Sequence, residues 1–114
     1  MLRFETIGRA PDAVPSSVTN YQGRAVMRLF PNPKDAAVSL FTAVDTDLRA
    51  AVEATRELSE FDDARVEADL AWQAWEQANT YERRGRITGL LQARYGVTDA
   101  QADELFRQAE RVTA

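Results

Sequence analysis

Two five-residue stretches, Val18-Thr19-Asn20-Tyr21-Gln22 and Val97-Thr98-Asp99-Ala100-Gln101, announce helices in the same way. In each, the threonine hydroxyl can accept from the backbone N–H three residues on. The glutamine amide then reaches back to the threonine N–H, which completes a capping box. With apolar residues at helical spacing between them, these two boxes constrain the chain toward packed helices. Their common wording is a common way to start a helix, and no internal repeat follows from it.

The first box opens a helix expected to reach about Phe30, burying Val26, Leu29 and Phe30 before Pro31 ends it. Asn32-Pro33 reads as a restart, with Asn32 as N-cap and Pro33 in the first turn. Ala37, Leu40, Phe41, Val44, Leu48, Ala51, Val52 and Leu58 then follow in steps of three and four. Asp45-Thr46-Asp47 interrupts that stripe, so one bent helix and two short ones both fit residues 33–59.

A third helix is expected from Asp62 to about Arg84, with Ala64, Ala68, Ala71, Trp75 and Ala78 on one stripe and Leu70 and Trp72 widening it. Gly85 breaks the pattern. Ile87, Leu90 and Leu91 mark a short helix closed by Gly96, a residue suited to a left-handed C-cap. The second box opens the last helix, whose face is Ala102, Leu105, Phe106 and Ala109, with Val97 as a hydrophobic staple onto Ala102.

The expected fold is all-α: a compact bundle of four to five helices, because short helices persist only by sharing a core. Trp75 is expected to be buried against the last two helices, with Phe106 in the same cluster. Residues 17–114 form this helical domain. Residues 1–16 form an extended N-terminal arm, since Pro11 and Pro15 withhold backbone donors and Leu2, Phe4 and Thr6 alternate only weakly with Arg3, Glu5 and Ile7. Two readings of the arm stand: a loose terminus, or a strand that adds to a neighbour's sheet edge.

Chemistry is limited by what is missing. Without Cys the chain has no disulfide or thiolate, and without His it lacks the commonest general base and transition-metal ligand. Eighteen acidic against 14 basic residues give a net charge of −4, contrary to a broad phosphate-binding face. No metal or cofactor is expected: Asp45, Asp47, Asp62, Asp63 and Glu67 have no calcium-loop register. No membrane span and no apolar signal-peptide core are present in the sequence. Arg83, Arg84 and Arg86 form a basic cluster that fits either a helix C-terminus or an anionic partner. Trp72 and Trp75 lie three apart, and Trp72 is the one expected at an interface.

Two resemblances are written into the C-terminal third. Gly89, Leu90, Leu91, Arg94, Tyr95, Gly96 and Ala102 resemble the end of the ANTAR RNA-binding domain. Ile87 and Thr88 stand where that family has Ala-Lys, and Asp103 where it has an aromatic. A second resemblance spans more of the chain. Val14-Pro15, Ser17-Val18-Thr19, Gln22, Trp75-Glu76, Ala78, Arg83-Arg84 and residues 96–106 are similar, in order, to small proteins encoded beside tail-fibre and baseplate genes of tailed phages. This chain departs by carrying Gly23 where those proteins have Ala, and by a longer stretch at residues 31–65.

The second resemblance implies a non-enzymatic tail-associated protein that binds a tail-fibre or baseplate protein. It would act in the virion tail or in the host cytoplasm during assembly, and a homo-oligomer is compatible with it. The ANTAR likeness implies the alternative, an RNA-binding regulatory module. The expected partner surface is Leu2, Phe4, Ile7, Trp72, Arg83 and Arg84. Thr19, Gln22, Trp75, Gly96, Thr98, Gln101, Leu105 and Phe106 are expected to hold the fold.

Overall fold

The computed structural model describes residues 13–113. Most of the expected arm, including Leu2, Phe4 and Ile7, lies outside the described residues. Five helices are present: α1 (Asn20–Met27), α2 (Leu40–Ala54), α3 (Asp63–Glu76), α4 (Arg86–Tyr95) and α5 (Asp99–Glu110). Four short strands accompany them: β1 (Ser17–Thr19), β2 (Pro31–Asn32), β3 (Asp35–Ser39) and β4 (Thr80–Glu82). The all-α expectation is therefore wrong. Two antiparallel two-stranded sheets, β1–β4 and β2–β3, make this a mixed α/β domain.

The β1–β4 sheet joins the segment before α1 to the connection between α3 and α4. Ser17, Val18 and Thr19 stand opposite Glu82, Tyr81 and Thr80. The ladder continues at both ends, where Arg83 N–H donates to the Ser16 carbonyl at 2.8 Å and Asn20 N–H to the Asn79 carbonyl at 2.8 Å. Only Val18 and Tyr81 point inward, a β-branched residue against an aromatic. The third helix was expected to run through this region. It stops at Glu76, with Gln77 as its C-cap, because the Thr-Tyr-Glu stretch pairs across the sheet instead.

The Asn32-Pro33 start is also corrected. Asn32 Oδ1 accepts from Lys34 N–H at 3.1 Å, and Asp35 Oδ1 from Ala37 N–H at 3.2 Å. These side-chain turns bend the chain into the bulged β2–β3 hairpin. Helix α2 begins only at Leu40, where the Ser39 hydroxyl accepts from Thr42 N–H. It then runs unbroken to Ala54, so Asp45 and Asp47 cap nothing. Asp45 accepts from Arg49 and from the Trp75 indole, and Asp47 from the Tyr95 hydroxyl. Leu29, expected inside, is 87% exposed in the turn after α1.

Both capping boxes form, with Thr19 and Gln22 at the start of α1 and Thr98 and Gln101 at the start of α5. Gly96 closes α4 in the left-handed region at φ 74°, and Val97 N–H returns to the Leu91 carbonyl at 3.2 Å. One core joins all five helices through Met27, Leu48, Trp75, Leu91, Leu105 and Phe106, among others.

Trp75 is fully buried within it, in the same cluster as Phe106, as expected. Its indole stacks on Tyr81 of β4 at 5.9 Å and tilts against Phe41 of α2 at 5.5 Å. Gly23 lies against the Cδ2–Cε2 edge of the Tyr81 ring. A Cβ there would stand 2.6 Å from the ring, so helix α1 and β4 meet this closely only with glycine.

Candidate functional site

The β1–β4 pairing brings residues 14–16 beside the β4–α4 turn and the start of α5. Between them lies an open cleft of about 1020 Å³, lined by Val14, Pro15 and Ser16, by Glu82 to Gly85, and by Gly89, Gln92, Asp99 and Asp103. Its floor is locally determined. Gly85 N–H and the buried Thr88 hydroxyl both donate to the Glu82 carbonyl, which turns the chain sharply from β4 into α4. Pro15 is buried while Ser16 faces solvent, so the segment is anchored as it passes the rim.

The adjacent arginines play different parts. Arg83 Nε donates to Asp103 Oδ1 at 2.9 Å, and its Nη2 lies 3.5 Å from Asp99 Oδ1. It thereby ties β4 to α5 across the cleft. Gln92 adds a third strut by donating to Asp99 Oδ1 at 2.7 Å. That hydrogen bond, with those and the charges from Arg83 and Arg84, holds the Asp99 carboxyl below its usual range. Arg84 is exposed and forms no ion pair among the described residues. The cleft thus places the exposed Arg84 guanidinium near the Asp99 and Asp103 carboxylates. Such a surface can hold a polar chain segment by complementary charge.

Trp72 sits elsewhere, half-buried on α3, with the Arg49 guanidinium 4.9 Å over its ring. The structure therefore does not gather the expected partner residues into one place: Arg83 and Arg84 share the cleft, and Trp72 lies apart. Thr19, Gln22, Gly96, Thr98 and Gln101 act at helix ends, and Trp75, Leu105 and Phe106 in the core.

A second polar centre surrounds Trp75. Arg24 lies 4.8 Å over the indole and 3.0 Å from Glu76, with Asp45 at 3.7 Å. Burial raises the Asp45 carboxyl, but the Arg49 and Trp75 hydrogen bonds, with the charges of Arg49 and Arg24, outweigh it and leave it low. Burial likewise raises the Tyr81 phenol, whose hydroxyl donates to the Trp75 carbonyl at 2.7 Å. Arg24 Nε is buried without a hydrogen-bond partner, while the remaining groups pair with one another and pack around the indole.

Sequence reasoning missed Gln92, Gly89 and the Glu82 carbonyl as parts of the cleft. Nothing local marks them, because the cleft exists only once residue 17 pairs with residue 82. It also passed over Phe61, which is 82% exposed between acidic residues. Among the described residues, no group of three or more acidic side chains is arranged to hold a metal ion. None of the described helices is long and apolar enough to cross a membrane. Comparison with protein-family models, with curated proteins and with solved structures finds no match.

Proposed function

We propose that this protein is a non-enzymatic accessory of a phage tail, which binds a tail-fibre or baseplate protein through the cleft beside β1–β4. The reading rests on the ordered resemblance from Val14 to Phe106. One spatial observation carries it further: residues of that resemblance from distant parts of the chain line a single cleft. Val14 and Pro15 come from the N-terminal side, Arg83 and Arg84 from the β4–α4 turn, and Asp99 and Asp103 from α5. A cleft with anchored apolar residues at one edge and fixed charges at the other suits an extended partner segment.

The RNA-binding alternative gains less from the same geometry. The basic cluster is partly spent internally, since Arg83 binds Asp103 and Arg86 binds Glu67 at 2.8 Å. Tyr95, part of the ANTAR-like wording, is buried with its hydroxyl on Asp47.

The test is mass spectrometry of purified virions combined with a pull-down from infected cells. Recovery in the particle, or with a tail-fibre or baseplate protein, is the expected result. Absence from both, with intact infectious tails after gene deletion, overturns the reading.

A further inference from the structure

The connection between α2 and α3 combines two properties that the cleft lacks. Four of the six large apolar residues exposed among the described residues fall between positions 58 and 70. Phe61 is 82% exposed in the turn, Leu58 is 39% exposed beside it, and Val66 and Leu70 are 38% and 41% exposed on α3. Val66 and Leu70 are four apart, on the face of α3 opposite Ala68, Ala71 and Trp75, which point into the core. Isolated exposed apolar residues are ordinary, but four within thirteen positions concentrate most of the exposed apolar bulk of the described residues in one elbow.

The second property is charge. Residues 53–69 hold seven acidic and two basic side chains, a balance of −5, in a chain whose total is −4. This elbow therefore carries all of the protein's net negative charge. Its two arginines are both engaged, Arg56 with Glu53 at 2.8 Å and Arg65 with the Leu58 carbonyl at 2.7 Å and Asp69 at 3.9 Å. Glu57, Glu60 and Asp63 are exposed and have no ion-pair partner among the described residues. They flank Phe61 on both sides.

We infer that the α2–α3 elbow is a docking surface for a cationic amphipathic helix of a partner protein, its apolar face on Leu58, Phe61, Val66 and Leu70 and its Lys/Arg side chains over Glu57, Glu60 and Asp63. Apolar anchors inside a rim of one sign select a segment with aliphatic residues inside a rim of the other. The inference stands independently of the tail assignment, because it rests on exposure and charge alone.

The probe is a fluorescent 18-residue helical peptide of alternating Leu pairs and Lys pairs, with a Leu/Glu peptide of the same pattern as control. Anisotropy titration is expected to show micromolar binding of the Leu/Lys peptide, weakening as salt rises, and none of the control. Phe61→Ser is expected to weaken binding about tenfold, and Glu57→Lys with Glu60→Lys by a similar factor, with unchanged melting temperatures since all three residues are exposed. Arg84→Glu, in the cleft, is expected to leave peptide affinity unaltered. Equal affinity in wild type and the elbow variants overturns the inference, as does binding lost only in Arg84→Glu. Sedimentation of the free protein as a dimer that Phe61→Ser dissociates also overturns it, by making a second copy the occupant.

Discussion

Gly23 shows how one hydrogen-sized side chain sets the spacing of two elements. Alanine favours a helix over glycine by up to about 1 kcal/mol, whereas overpacking a rigid interior costs about 1–3 kcal/mol. Here the added Cβ would meet the Tyr81 ring at 2.6 Å, and that ring is fixed by stacking on Trp75. The clash wins. Gly23→Ala is expected to lower the melting temperature by about 4–8 °C, corresponding to roughly 1 kcal/mol. In a Tyr81→Leu background the penalty should shrink, because the obstructing ring atoms are gone. Equal penalties in both backgrounds would show that the contact does not govern the site. The glycine itself is plain in the sequence, but its need is not, since the ring it accommodates is some sixty residues away.

Two phenols give the residue scale a pH dependence. Burial raises Tyr81 and Tyr95 above the ordinary value of 10.0, and for Tyr95 the Asp47 carboxylate adds to the effect. A folded-state value above the unfolded one means the unfolded chain releases its protons first as pH rises. The stabilisation is complete below about pH 10 and is lost progressively above it. The urea midpoint should therefore fall progressively as pH rises above about 10, and Tyr81→Phe should reduce that slope. A midpoint that stays flat across this range would contradict the burial of both hydroxyls.

Elements were legible where their signals are local. A capping box needs four consecutive residues, and both boxes form as read. Gly96 needs only its own backbone freedom to close α4. The strands were not legible: β1 and β4 have three residues each, too few for a period of two to register. Asn32 is a subtler case, because its side-chain oxygen accepts a backbone N–H two residues on in a turn as readily as at a helix start. The next residues decide, and Asp35 repeats the turn. Thr98→Ala removes an exposed cap without opening a cavity, so a loss of about 1 kcal/mol is expected, with an unchanged denaturant slope. Thr19→Ala should match it. A null result for both would mean that neighbouring contacts alone hold these helix starts.

At the scale of the whole molecule, the cleft is a consequence of topology, which is why its residues were legible only as motifs and never as a site. Pairing β1 with β4, residues 17–19 with 80–82, sets Val14 and Pro15 in one cleft with Asp99 and Asp103 of α5, and Arg83 spans the gap. Arg83 and Arg84 are neighbours in sequence, yet the fold gives them separable duties, and this allows structure and function to be tested apart. Arg83→Met strips Asp103 of its cation and unties β4 from α5, for an expected loss of about 1–2 kcal/mol. Arg84 is exposed and unpaired among the described residues, so Arg84→Met should change stability by less than about 0.5 kcal/mol. If the cleft is the partner surface, the same Arg84→Met protein should lose recovery of its tail-fibre or baseplate partner, most clearly at low salt, where an exposed charge is least screened. Stability measured by urea unfolding and capture measured on matched folded protein separate the two effects. Capture that survives Arg84→Met unchanged at every salt concentration would move the binding surface away from this cleft.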